Sequence, residues 1–236
     1  MPQVTVPGGA STPELNTHLA VPPVAAPPWP GVVVLHESFG LNDDIRQQAD
    51  RLAAAGYLAL APDLFSDGGR LRCLRATFRA AMSGRGKAFE DIETARTWLA
   101  GREDCTGRVG VIGFCLGGGF ALLTASRGFD ASAPNYAHLP KDLDGALDGA
   151  CPVVASYGGN DKTLRGTAAT LEAGLERAGV EHDVKEYAAA GHSFLNRHDF
   201  GPGGAILRVA GIGYHEPSAE DAWGRILRFF EARLRA

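Results

Sequence analysis

The 236-residue chain is short of several things, and each shortage excludes a class of protein. It lacks an excess of either charge: 23 Lys+Arg against 27 Asp+Glu leave a net charge of −4. A general nucleic-acid surface needs a basic footprint, so no nucleic-acid partner is expected. It has only four cysteines, at positions 73, 105, 115 and 151, and no CxxC pair, which excludes a zinc ribbon and a dithiol redox motif. Met1 to Ala10 has neither a basic n-region nor an apolar h-region, so a secretory leader is not indicated. Thiols in a leaderless chain read as reduced, and the expected location is the cytoplasm. No run approaches the roughly 20 apolar residues of a membrane span. His36-Glu37 does not continue into H-E-x-x-H, because Gly40 stands where the second His would be. The 31 glycines form neither G-x-G-x-x-G, nor a Walker loop, nor a G-X-Y period. No metal and no cofactor are therefore expected.

What remains is an ordinary globular composition, 45% hydrophobic and 21% charged, of a length that suits one α/β domain over residues 1–236. The first 30 residues are polar and then proline-rich, and read as a lead-in of loop or edge material. Gly31 to His36 is a short, unbroken β-branched run, the signature of a strand buried on both faces. Asn42 to Ala55 reads as a helix, with Asn42 as N-cap, Asp43 and Asp44 in the first turn and Gly56 after its end. The alternation continues: strands at 57–61, 108–114, 150–157 and 184–187, helices at 87–100, 116–126 and 163–178. A final amphipathic helix, 219–234, carries Trp223, Ile226, Leu227, Phe230 and Leu234 at helical spacing. Such alternation predicts one mainly parallel sheet with helices on both faces.

In a parallel sheet, functional side chains sit beyond the carboxyl ends of the strands. One such end reads Gly113-Phe114-Cys115-Leu116-Gly117, followed by Gly118 and Gly119. This is the G-x-S-x-G nucleophile elbow with Cys in place of Ser. A sharp strand-to-helix turn presents the side chain above the sheet, small residues on either side avoid Cβ clashes, and the helix N-terminus favours the thiolate. Taken alone, the motif competes with a buried structural cysteine in a glycine-rich turn. Context narrows the choice. Asp161 follows the 150–157 strand through Gly158-Gly159-Asn160, and His192 lies in the small-residue loop Ala190-Gly191-His192-Ser193. The order nucleophile, acid, histidine is that of α/β-hydrolases.

These blocks, together with His36-Glu37-Ser38-Phe39-Gly40-Leu41-Asn42 and Tyr57-Leu-Ala-Leu-Ala-Pro-Asp63-Leu64-Phe65, resemble the dienelactone hydrolase family over roughly residues 30 to 200. The resemblance implies an α/β-hydrolase fold and hydrolysis of an activated ester or enol lactone through a Cys115–His192–Asp161 triad and a thioester acyl-enzyme. It implies that Glu37 contacts the resting cysteine and exchanges a proton with it. It places the oxyanion hole at the backbone N–H groups of Ser38 and Leu116. The partner is then a small-molecule ester or lactone, and the protein a monomer or small homo-oligomer. A broad carboxylesterase or thioesterase on the same scaffold is the nearest rival, and a non-catalytic thiol redox sensor a more distant one.

The chain departs from the family in its arginines. Four residues after His192, where the family has an anion-binding arginine, stands Asn196, with Arg197 one further on. The segment Ser66 to Lys87 carries Arg70, Arg72, Arg75, Arg79 and Arg85, a pattern read more readily as a solvated face than as an anion clamp. Residues 201–217, preceded by His198 and including His215, shape the pocket or a contact surface in this reading. Cys73, Cys105 and Cys151 read as packing thiols.

Overall fold

A computed structural model describes residues 3–7, 12–23, 26–66, 77, 80, 84–198 and 212–235. Eight strands form one sheet: β1 (Gln3–Pro7), β2 (Glu14–Ala20), β3 (Trp29–Leu35), β4 (Leu58–Pro62), β5 (Cys105–Phe114), β6 (Ala131–Asn135), β7 (Val153–Gly158) and β8 (His182–Tyr187). Their order is β1-β2-β4-β3-β5-β6-β7-β8. β2 runs antiparallel to both its neighbours, and every pairing from β4 to β8 is parallel. The described helices are α1 (Asp43–Ala54), α2 (Lys87–Ala100), α3 (Leu116–Thr124), α4 (Leu143–Leu147), α5 (Thr167–Ala178) and α6 (Glu216–Leu234).

The central strands bury both faces, as their unbroken apolar runs require. Val32 and Val34 of β3 and Ile112 and Phe114 of β5 pack with Ile45 and Leu52 of α1 and with Trp223, Ile226 and Phe230 of α6. The alternate residues, Val33, Leu35, Val109 and Val111, pack with Phe89, Ile92 and Leu99 of α2. This is the two-residue period of a strand sorting its side chains to opposite sides. At α1 the capping expectation holds: the Asn42 side chain accepts from the Ile45 N–H at 3.0 Å. Gly56 follows the helix at φ +87°, a conformation that favours glycine.

Of the loop or edge material expected at the N-terminus, the described part includes strands at the sheet edge. The segment read as a lead-in contains β1 and β2, and Val6, Leu15 and Leu19 are buried. Asn16, Thr17 and His18 obscured the strand, because a strand near the sheet edge mixes polar and apolar residues. Thr17 donates its hydroxyl to the Val4 carbonyl at 2.6 Å, and His18 pairs with Asp50 at 3.0 Å. β6 was also unmarked, since it has no β-branched residue and contains Pro134. It is a strand because β5 and β7 flank it. Pro134 lies opposite Gly113, and pairing with β7 runs through Ser132 and Asn135 on either side of it.

Candidate active site

Cys115 joins β5 to α3 at φ 53° and ψ −110°. A non-glycine residue pays roughly 1–3 kcal/mol for such a backbone, which persists only where its surroundings over-determine it. Here they do. The Cys115 N–H donates to the Asn135 carbonyl at the end of β6 (3.1 Å), and the Cys115 carbonyl accepts from Gly119 N–H (3.0 Å). A Cβ on Gly113 would lie 1.9 Å from the Gly117 carbonyl oxygen, and one on Gly117 2.2 Å from that of Leu35. A Cβ on Gly118 would lie 2.5 Å from the Asn135 carbonyl oxygen. The glycines are therefore a steric condition of the turn. The thiol is free and half-buried, and Leu116 behind it is the first residue of α3, whose N–H has no acceptor within the helix.

Asp161 and His192 come from two loops that touch backbone to backbone. A Cβ on Gly158 would meet the Gly191 carbonyl oxygen at 2.5 Å, and Asn160 N–H donates to the Ala190 carbonyl at 2.9 Å. That contact carries the Asp161 carboxylate to the imidazole, with His192 Nδ1 to Asp161 Oδ2 at 2.5 Å. The second carboxylate oxygen accepts from the N–H (2.9 Å) and hydroxyl (2.6 Å) of Thr163. Burial works to raise the Asp161 carboxyl, but the His192 and Thr163 hydrogen bonds prevail and lower it to about 2. Burial likewise works to lower His192, but its bond to Asp161 and a hydrogen bond with Cys115 raise it to about 10. The ring of Tyr136 packs against His192 at 5.2 Å between centroids.

The loop after β3 completes the cluster. His36 is fully buried: Nδ1–H donates to the Glu37 carbonyl at 2.6 Å, and Nε2 accepts from Leu64 N–H at 3.0 Å. Those bonds select the neutral tautomer, and burial pushes the imidazole below its usual range. This is how the Pro62-Asp63-Leu64-Phe65 block is tied to the loop. Glu37, 2% exposed, accepts from the Ser193 hydroxyl at 2.7 Å through one oxygen and pairs with His198 Nε2 through the other. The expected contact with Cys115 is not among its hydrogen bonds. Ser38, one residue on, is half-buried.

Asn196 does not stand in for an anion-binding arginine. It is fully buried, accepts from the Tyr136 hydroxyl and donates to Asp44 Oδ2 at 2.5 Å. Asp44 also accepts from the Arg197 N–H at 2.6 Å, and Gln48 donates to the Leu195 carbonyl at 3.0 Å. Asp44, read from the sequence as a first-turn acid, thus anchors the chain just beyond His192. The Arg197 guanidinium stacks on Tyr214 at 3.9 Å and donates to its hydroxyl at 2.8 Å. Arg85 is exposed, and Arg70, Arg72, Arg75, Arg79 and Cys73 lie outside the described residues. Of residues 201–217, positions 212–217 are described: Ile212 bridges His192, and His215 N–H donates to the Phe194 carbonyl at 3.1 Å. Burial raises both remaining thiols, Cys151 to about 12, which keeps them protonated and unreactive.

Ser193, Asn196, His198, Asp44 and Tyr136 were not picked out as site residues from the sequence. Each belongs to a hydrogen-bond network between distant segments, and of the five only Ser193 sits in one of the quoted blocks. Among the described residues no group of His, Cys, Asp or Glu side chains is arranged to hold a metal ion, and no helix is long and apolar enough to cross a membrane.

A mostly parallel eight-stranded sheet with an antiparallel second strand, and a positive-φ residue at the turn after β5, defines an α/β-hydrolase. The structure of brefeldin A esterase, a bacterial homologue of human hormone-sensitive lipase, has the same fold, with a TM-score of 0.72 at 17% identity over 99% of this chain and 77% of that one. More narrowly, the chain belongs to the dienelactone hydrolase family, whose model matches residues 15–234. It is 32% identical over 228 residues to the carboxymethylenebutenolidase of Rhodococcus opacus, covering 86% of this chain and 81% of that one. A Klebsiella pneumoniae structure provisionally named a dienelactone hydrolase has a TM-score of 0.80 at 27% identity, over 97% of each chain. The protein is accordingly an ester or lactone hydrolase.

Proposed function

We propose that the protein hydrolyses carboxylic esters with good leaving groups, enol lactones foremost, through a thioester on Cys115. The observation that carries this reading is the strained Cys115 beside His192, whose other nitrogen lies 2.5 Å from Asp161. Asp161 holds the imidazole in one orientation and stabilises its protonated form. With His192 raised to about 10, its imidazole carries the proton at neutral pH, beside Cys115. The thiolate attacks the ester carbonyl, and the N–H groups of Ser38 and Leu116 receive the developing oxyanion. Losing one such donor typically costs about 10²–10³ in rate.

Acylation changes the histidine. Cys115 is one of the groups that raise it, and a sulfur bonded to the acyl carbon carries no charge, so that contribution ends when the tetrahedral intermediate forms. His192 then yields its proton to the departing alkoxide or enolate and becomes the base that activates water. A thiolate is a weaker base than an alkoxide and is expelled more readily from a tetrahedral intermediate. Esters of poor leaving groups, and amides, therefore return to substrate, whereas enol esters go forward.

The test is turnover of p-nitrophenyl acetate and an enol lactone against ethyl acetate, with the acyl adduct on Cys115 sought by mass spectrometry. Preference for the first two and an adduct mapped to Cys115 are expected. Absence of turnover together with failure of iodoacetamide to label Cys115 would overturn the reading.

A further inference from the structure

Glu37 and His198 form a second acid–histidine pair beside the first. The Glu37 carboxylate is 2% exposed and the His198 side chain 4%. A buried carboxylate is costly unless it is paired and hydrogen-bonded. The remaining oxygen of Glu37 accepts from Ser193, a non-glycine residue held at φ 59° directly after His192. Glu37 itself directly precedes Ser38. One carboxylate thus links the loop that follows β3 to the loop that carries the catalytic imidazole, and His198 is its counter-charge.

We propose that His198 is a positioning residue: as the buried cation paired with Glu37, it locks that carboxylate onto Ser193 and so fixes the His192 loop against the Ser38 loop. The proposal rests on the hydrolase reading above. Among the described residues, His198 is faced by Glu37 from the loop after β3, Asp44 of α1, His192 of its own loop, and the Phe39 ring at 5.2 Å between centroids. Burial and His192 oppose the charged imidazole; Glu37 and Asp44 favour it and prevail, so His198 titrates above its ordinary range. The brace is complete on the acid side of that titration. It loosens as pH rises through it, because Glu37 then loses the charge of His198, its ion-pair partner among the described residues.

The experiment compares kcat/KM for p-nitrophenyl acetate across pH in the wild type, His198→Gln and His198→Arg. It is paired with an NMR titration of His198 in the wild type and in Glu37→Gln. Misplacing a reacting group by about 1 Å costs up to about 10²-fold, so His198→Gln should lose activity on the order of tenfold or more and lose the alkaline limb that coincides with the His198 titration. His198→Arg, whose guanidinium stays charged, should recover most of the loss with that limb moved to higher pH. In Glu37→Gln the His198 titration should fall, because burial then outweighs what favours the charged imidazole. Wild-type activity and an unmoved limb in His198→Gln would overturn the proposal, as would an unchanged His198 titration in Glu37→Gln. If the wild type itself neither turns over the ester nor alkylates at Cys115, the hydrolase reading fails, and the NMR titration still decides whether the pair exists.

Discussion

At Cys115 the backbone takes a conformation that L residues rarely adopt, and three neighbouring glycines leave room for it. The clash distances at Gly113 and Gly117 are to backbone atoms, which cannot step aside as a side chain can. Gly117→Ala should therefore destabilise the fold by about 3 kcal/mol, the upper end of ordinary overpacking costs, read as a fall in the urea midpoint, and should abolish labelling of Cys115. Cys115→Ala should remove turnover of activated esters by a factor of 10² or more while leaving the thermal midpoint near that of the wild type. Beneath the site, Asn196→Leu takes the Asn196 partner from the Tyr136 hydroxyl and from Asp44 Oδ2, while Asp44 Oδ1 keeps the Arg197 N–H. Each orphaned buried group costs about 1–3 kcal/mol, so stability and kcat should fall together in denaturation and rate measurements. The elbow residues were legible because their spacing is a local requirement of one turn. The roles of Asn196 and Asp44 were not, since their partners lie about 150 positions away in the chain.

At the scale of elements, α6 and the two N-terminal strands make the contrast. The apolar spacing of α6 marked it in the sequence, and Trp223, Ile226 and Phe230 are all fully buried. β1 and β2 gave no such signal, because an edge strand owes its place to a neighbour's hydrogen bonds more than to its own pattern. Leu15→Ala discriminates. Leu15 is fully buried, so the substitution should cost about 2–5 kcal/mol, measured by urea unfolding. A loose lead-in would lose nothing. β6 teaches the same point from the centre of the sheet. Ala131–Asn135 reads poorly as a strand, yet its last carbonyl holds the Cys115 N–H, so an element invisible in the sequence helps to hold the strained turn at Cys115.

For the whole molecule, the Asp161–His192 pair couples stability to pH at both ends. Asp161 is lowered from 3.8 to about 2, so its contribution is present above 3.8 and lost as pH falls through 2. His192 is raised from 6.5 to about 10, so its contribution is complete below 6.5 and lost as pH rises through 10. The thermal midpoint should therefore decline between pH 6.5 and 10, and His192→Gln should flatten that decline, which a series of melting curves would reveal. What the chain alone determined is whatever is enforced within a few neighbouring residues: the buried strand runs, the caps of α1, the amphipathic α6, the glycine-lined turn at Cys115, and the family these blocks resemble. Tertiary structure alone decided which polar groups meet. Packing the Gly158 loop on Gly191 brings Asp161 to His192, and burying Glu37 obliges it to take Ser193 and His198 as partners. The reason is physical. Steric and periodic demands act along the chain and leave a pattern in it, whereas a buried charge is satisfied by whatever the folded molecule carries to its side.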